Sequence, residues 1–260
     1  MTNKKLLVTG VASGIGKYIH EQLGGIGLTR QSPNLKELQK RSFDMIIHCA
    51  WNHMPTRSVT TDNIGQYYDD NSLLTQELLK IPHKYFVLFS TIDIYPANGQ
   101  PHLEDEVIYA DSIRSIHGTT KLISEALVRA RSNMYLILRP TSLIGPYMRK
   151  NNLLKILEDK KPFLTLDGGS IYNLIHYPDV LGFIRSAADR GESGIFNLSS
   201  AKTITLAQIA KLADKKVSFG THHYESGDII NKKAAKIWPG FKKSSEDILK
   251  EFIAQNKARF

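Results

Sequence analysis

Two side chains that could move a proton, His117 and Lys121, stand four residues apart in a stretch with helical spacing. Residues at i and i+4 share one helix face, about 6 Å apart along the axis. Imidazole is the commonest general acid–base group. As an isolated pair these residues read as a solvated face. A hydroxyl pair, Ser90-Thr91, closes the apolar run YFVLFS. A hydroxyl at a strand's carboxyl end could hold a substrate carbonyl or hydroxyl; alone it forms turns. Asp93, two residues on, is a further acid–base candidate, or a cap. Near the N-terminus lies Thr9-Gly10-Val11-Ala12-Ser13-Gly14-Ile15-Gly16, behind an apolar run and ahead of a helical pattern. Its glycines let the backbone turn tightly and approach a pyrophosphate, whose charge the N–H groups of the helix start would hold. Read structurally, the same residues are a strand–helix turn.

The elements that must position these groups alternate along the chain. Strands are expected at Lys5 to Thr9, Gly27 to Arg30, Asp44 to Ala50, Tyr85 to Ser90, and Met134 to Arg139 closed by Pro140. Helices are expected at 14–23, Leu35 to Arg41, 65–80 and 115–131. Such alternation implies an α/β fold with a doubly wound parallel sheet, Rossmann-like, covered on both faces. After about residue 146 the segments shorten. A strand at Ile195 to Ser199 and helices at 205–213 and 244–255 suggest a small cap, its chain partly returning to the main sheet. The boundary is expected near residue 146. Arg30 falls at the expected end of the second strand. An acid there would bind the ribose hydroxyl of NAD, whereas a base suits the extra phosphate of NADP.

The 260 residues carry a formal net charge of +9. The basic doublets Lys160-Lys161, Lys232-Lys233 and Lys242-Lys243 lie on separate segments, so they read as solvated faces and no nucleic-acid partner is expected. A phosphate-bearing cofactor and substrate suit the same charge. No apolar run approaches the roughly 18 residues of a membrane span, and the N-terminal run is too short for a signal peptide. The single cysteine, Cys49, cannot form an internal disulfide, so a cytoplasmic setting is expected. No metal site is expected.

The series TGVASGIG, IIHCAW, DDNSLLTQELL, FSTIDIYP, HGTTKLISE, ILRPTSLIGP and IHYPDV resembles the extended short-chain dehydrogenases/reductases, the NAD-dependent epimerase/dehydratase family that modifies nucleotide sugars. FNLSSAKTITLAQIAKLA resembles their late strand–helix unit, and NKKAAKIWPGFKKSSEDILKEFI their closing segment. The resemblance covers nearly the whole chain in order. It implies a dinucleotide-binding domain at 1–146 and a smaller C-terminal substrate-binding region at 147–260, with parts returning to the main sheet. It implies a nicotinamide dinucleotide held at Gly10, Ser13, Gly14, Ile15 and Gly16, with Cys49, Ala50 and Trp51 along its path. It implies Thr91 as the catalytic hydroxyl, Lys121 on the nicotinamide ribose, Pro140 and Thr141 beside the nicotinamide, and a homodimer.

Three departures accompany it. The glycine spacing GxxxGxG is that of the single-domain subgroup. The segment from Arg30 to Asp44 is too short for a third strand and its adenine-side acid. The family's YxxxK tyrosine is His117 here, and an imidazole, with an ordinary pKa near 6.5 against about 10 for a phenol, could carry the proton instead. The expected activity is NADPH-dependent reduction of a keto group on a nucleotide-activated sugar, in surface-polysaccharide or deoxysugar synthesis. NADP(H) is preferred and NAD(H) possible, with Thr91, His117 and Lys121 catalytic and Arg30 on the NADP phosphate. An epimerase or dehydratase, and a non-catalytic NAD(P)-binding protein, are the alternatives.

Overall fold

The computed structural model describes residues 4–113 and 115–257. Apolar residues fill both faces of the strands in its first half. β1 (Leu6–Thr9) is buried at every position and ends in the glycine turn; α1 (Gly14–Leu23) and the short β2 (Ile26–Leu28) follow. A one-turn helix, α2 (Leu35–Leu38), leads to β3 (Phe43–His48). Next come α3 (Ile64–Tyr68), a π turn at Asp69–Leu73, and α4 (Leu74–Leu79). β4 (His83–Phe89), the two-residue β5 (Pro101–His102), α5 (Ile116–Arg131) and β6 (Tyr135–Pro140) complete this half. The second half holds β7 (Ser142–Ile144), α6 (Asn152–Glu158), β8 (Phe163–Leu166), β9 (Ile171–Tyr172) and β10 (Leu174–His176). There follow α7 (Tyr177–Asp189), β11 (Gly194–Leu198), β12 (Ile204–Thr205) and α8 (Leu206–Leu212). β13 (Ser218–His222), β14 (Asp228–Ile229), α9 (Lys232–Ile237) and α10 (Ser245–Gln255) close the chain.

Six strands form one parallel sheet in the order β11-β6-β4-β3-β1-β2. Strand alternation divides its side chains between two layers. Leu6, Val8, Met45, Ile47, Val87 and Phe89 pack with Ile19 of α1 and Val180 and Phe183 of α7. Leu7, Ile46, Phe86 and Leu88 pack on the other face with Leu38, Leu78 and Val128. Each fully buried side chain of this kind contributes roughly 1.5–3 kcal/mol. A separate cluster, including Leu153, Leu157, Ile209 and Phe252, unites α6, α8 and α10. The strand order reverses at β1, with β2 on one side and β3 on the other. In open α/β sheets the ligand crevice lies beyond the carboxyl ends of the strands at such a point, here β1 and β3.

Several expected boundaries move. The second strand stops at Leu28, so Arg30 sits two residues past it in the following bend. The helix expected at Leu35 to Arg41 closes at Leu38. No strand lies between Leu28 and Phe43, so among the described residues β2 is the sheet edge. The helix expected over 65–80 contains the π turn, whose extra residue turns Asn71 and Ser72 into the interior. Helix α7 was not anticipated. Pro178 starts it, and Val180, Leu181, Phe183, Ile184 and Ala187 form its buried stripe.

Candidate active site

The glycine turn depends on missing side chains. Gly10 has φ +74°, and a Cβ there would stand 2.9 Å from the Ala50 nitrogen; a Cβ at Gly16 would stand 2.5 Å from the Gly10 carbonyl oxygen. Gly14, at φ +58°, donates its N–H to the Tyr147 carbonyl at 2.9 Å. Helix geometry gives the next N–H groups, of Ile15 and Gly16, no intrahelical acceptor. Ser13 is the N-cap and makes no side-chain capping bond.

A buried polar chain ties this turn to the neighbouring strand. Thr9 Oγ1 accepts the backbone N–H groups of Cys49 and Ala50, at 3.2 and 3.0 Å, and lies 2.8 Å from His48 Nδ1. His48 Nε2 lies 3.0 Å from Thr75 Oγ1, which in turn can donate to the Asn71 carbonyl. With Thr9 donating to Nδ1, the network assigns the imidazole proton to Nε2. Burial, then the charge of Lys121, lowers the His48 pKa to about 3, so this ring is neutral. The loop that follows β3 is thereby held against Gly10. The Cys49 side chain faces the apolar core, and burial raises its thiol pKa, so only its backbone borders the crevice.

The proton-carrying groups meet where α5 crosses the end of β4. Ser115 caps α5 by accepting the Gly118 N–H at 2.9 Å. Gly118 lets the helix approach closely, since a Cβ there would stand 2.4 Å from the Asp93 carbonyl oxygen. Lys121 is 3% exposed, and its Nζ donates to the Phe89 carbonyl at 2.7 Å. Two of its three N–H bonds remain for a ligand. Burial lowers its pKa to about 8, against the opposing influence of Cys49 and Glu125. Burial also brings His117 down to about 3, with Lys121 and His53 as lesser causes. The imidazole is therefore neutral near pH 7, and its buried Nδ1 has no hydrogen-bond partner among the described residues. Trp51 covers it, ring centroids 4.3 Å apart, and meets the His53 ring at 4.2 Å with the planes tilted by 58°. Thr91 accepts the Asp93 N–H at 3.1 Å, which leaves its hydroxyl proton to donate.

Behind these groups lies a buried ion pair that the sequence reading missed. Glu125 accepts from Arg139 through both carboxylate oxygens, at 3.0 and 2.8 Å, and from Ser90 Oγ at 2.5 Å. Arg139 continues to Tyr95 Oη at 2.8 Å, and Tyr95 to Asn197 at 2.7 Å. Glu125 stands four residues beyond Lys121 on the helix face that carries His117, and Arg139 interrupts an apolar strand. Those were the available signals.

On one flank, a cavity of about 450 Å³ opens among Asp93, Ser115, His223, Tyr224, Glu225 and Ser226. Asp93 is exposed over the residue as a whole, yet partial desolvation of its carboxyl raises its pKa. On the other flank, Arg30 pairs with Asp70 at 2.6 Å. His53 is exposed over the residue as a whole, yet its ring packs on Trp51. Partial desolvation of that ring, then the charges of Arg149, Lys121 and Arg30, lowers its pKa. The crevice is thus rimmed by cations. Its donors fit a nicotinamide dinucleotide: helix-start N–H groups and cations for phosphates, Lys121 for ribose hydroxyls.

Ala50 backs Gly10 of the glycine turn, Trp51 lies on His117, and Lys121 reaches Phe89 at the end of β4, two residues before Thr91. Arg30 is engaged as half of an ion pair. Pro140 ends β6, and Thr141 gives its hydroxyl proton to Asn173 Oδ1 and its backbone N–H to the Leu198 carbonyl, both at 2.9 Å. Among the described residues, no cluster of three or more His, Cys, Asp or Glu side chains could hold a metal, and no helix is long and apolar enough to cross a membrane.

A family model described as NAD dependent epimerase/dehydratase matches residues 6–199. No curated protein matches the chain in sequence. Among solved structures, a dTDP-4-dehydrorhamnose reductase from Clostridium acetobutylicum superposes with a TM-score of 0.81 at 19% identity, covering 97% of this chain and 99% of that one. The UDP-glucuronic acid 4-epimerase of Bacillus cereus, bound to UDP-glucuronic acid and NAD, gives 0.78 at 20% identity, covering 98% and 100%. A dTDP-4-dehydrorhamnose reductase from Bacillus anthracis in complex with NADP gives 0.79 at 17%, covering 97% and 99%.

Proposed function

Because the chain belongs to the NAD dependent epimerase/dehydratase family, we propose that it is a reductase that acts on a keto group of a nucleotide-activated sugar, with NADPH as the reductant. The observation that carries this reading is the convergence of Thr91, His117 and the buried Lys121 beside a dinucleotide-type glycine turn. Reductases and an epimerase of nucleotide sugars among the structural neighbours support the substrate class.

The bound dihydronicotinamide would supply the hydride. The remaining chemistry falls to this chain. Thr91 donates its hydroxyl proton as a hydrogen bond to the carbonyl oxygen. His117, neutral at about pKa 3, holds substrate through an N–H bond and is too weak a base to serve as an imidazolium acid near pH 7. Lys121, at about 8, is mostly an ammonium at that pH and is the group matched to releasing a proton. It also places its spare N–H bonds on the ribose hydroxyls. Trp51 keeps water from the pair. The acid is thus reassigned from His117 to Lys121, with His117 positioned to pass the proton or to orient the oxygen.

Asp93, with its raised pKa in the adjoining cavity, favours a dehydratase as the second reading, since a carboxyl there could remove or return a proton at a sugar carbon. Incubating the protein with NADPH and a panel of keto-sugar nucleotides, and following loss of NADPH absorbance, tests the proposal. Stoichiometric consumption supports the reductase. Conversion without consumption indicates an epimerase or dehydratase. Tight cofactor binding with no conversion of any sugar nucleotide indicates a binding protein. The expected homodimer and cytoplasmic location join this proposal, to be checked by light scattering and by cell fractionation.

A further inference from the structure

The sheet edge beside the glycine turn carries an internal counter-ion that the cofactor's own phosphate would have to displace. Arg30 lies two residues beyond β2, with its side chain 77% exposed, and its guanidinium donates to Asp70 Oδ2 at 2.6 Å. Asp70 is the sheltered partner, 17% exposed, and three side chains converge on it. Besides Arg30, Asn52 Nδ2 donates to Oδ2 at 2.9 Å and Gln66 Nε2 to Oδ1 at 3.0 Å. Asn52 is itself tethered, its backbone N–H donating to Asn71 Oδ1 at 2.6 Å. The carboxylate is therefore fixed by the π turn and by the loop after β3, whereas the guanidinium stands on an exposed arm. Among the described residues no strand lies beyond β2 to carry an acid, and Asp70, in the π turn, meets this edge at Arg30.

Resting on the reading of this crevice as a nicotinamide dinucleotide site, we propose that Asp70 sets the cofactor preference by competing with the 2′-phosphate for Arg30. A dinucleotide with a free ribose 2′-hydroxyl leaves the pair closed, because that hydroxyl can donate to the carboxylate while Arg30 stays in place. A dinucleotide bearing a 2′-phosphate needs the guanidinium for itself and brings a doubly charged group toward Asp70. It loses part of what Arg30 gives to repulsion and to opening the pair. Arg30 alone would make the site strongly NADP-selective; Arg30 held by Asp70 makes it accept both cofactors.

Calorimetric titration of the whole protein with NADP+ and with NAD+ tests this, on the parent and on Asp70→Asn, which keeps the side chain's size and one acceptor oxygen. Exposed ion pairs are weak, so the expected shift is modest: the ratio of the NAD+ to the NADP+ dissociation constant rises about three- to tenfold, mostly through tighter NADP+. The same substitution made on an Arg30→Gln background is expected to move the ratio much less, because only the through-space repulsion remains. That coupling separates competition for Arg30 from a general loosening of the loop, which would move the ratio equally in both backgrounds. An unchanged or lowered ratio in Asp70→Asn, or an equal rise in both backgrounds, overturns the proposal while leaving the dinucleotide reading intact. If the parent binds neither dinucleotide, the reading itself fails and this inference with it. Should Asp70→Asn fold poorly, Asp70→Ser is measured in its place with the same expected direction.

Discussion

The two ends of the crevice handle charge in opposite ways. At the β4–α5 junction Lys121 and the ion pair behind it are withdrawn from water, with Lys121 3% exposed and the Glu125–Arg139 pair 0% and 3%. At the β2 edge, Arg30 extends into solvent and is held by the Asp70 carboxylate. Burial changes what a group is, because desolvation acts on the charged form directly, and it moves His117 and Lys121 toward neutrality. Exposure changes only what a group prefers, because water screens each contact and any one of them is exchangeable. A fold that must fix protonation does so inside; one that must choose between similar ligands can do so at the rim.

The largest effect is expected at the buried end. Lys121→Met keeps the length and removes the ammonium. Turnover should fall about 10²–10⁴-fold, as for loss of an acid–base group, with weaker cofactor binding and an unchanged melting transition. Parent-like turnover and affinity in this variant would erase the functional distinction between the two ends. In the parent, the reduction rate should decline as pH rises through about 8, where the Lys121 ammonium is lost. If His117→Phe lowers the rate but keeps that alkaline limb, Lys121 is the acid; if the limb disappears, the two groups act as one.

Next in size is the ion pair. Arg139→Met strands the Glu125 carboxylate among buried groups, and chemical denaturation should show a loss of about 3–5 kcal/mol. A loss below about 1 kcal/mol would mean that this end is as wet as the rim.

Acid should then unfold the protein through its neutral histidines. His48 and His117 titrate near 3 in the fold and near 6.5 when unfolded. Below about 6.5 the unfolded chain takes up protons that the fold refuses. Stability is therefore fully present above that pH and falls as pH drops toward 3, by several kcal/mol at the acid end. Urea midpoints measured across this window should slope downward, and His48→Asn should flatten the slope. A flat parent profile would remove the claim that burial fixes these charge states.

The smallest effect belongs to the rim. Arg30→Gln should weaken NADP+ binding about tenfold or less, with a difference that shrinks as salt is added, and should leave NAD+ nearly unaffected. A salt-independent loss would show that Arg30 is more sheltered in the complex than in the free protein.

Much of the framework was legible in advance. The run before the glycine turn, and the spacing of His117 and Lys121, are local patterns that strand and helix geometry read directly. The missing third strand was legible as well, because thirteen intervening residues, Gln31 to Phe43, leave too little chain. Helix α7 follows the three-residue β10 with no loop between them, so its start is hidden in sequence, although Pro178 and the apolar stripe from Val180 to Ala187 mark it. Glu125, Asp70 and Asn71 escaped for another reason. An acid or amide on a helix looks the same in sequence whether it faces water or the interior.

The sequence by itself therefore determined the order of the elements, the turn that only glycine can make at Gly10 and Gly16, and the helix face that presents His117 and Lys121. These follow from interactions among near neighbours in the chain. The tertiary structure decided which of those groups are charged, that Arg30 is held by a carboxylate 40 residues away, and that Cys49 turns its thiol into the core. A pKa depends on the water removed and the charges brought near, and both come from segments far apart in sequence. No local pattern carries that information until the sheet has closed around the site.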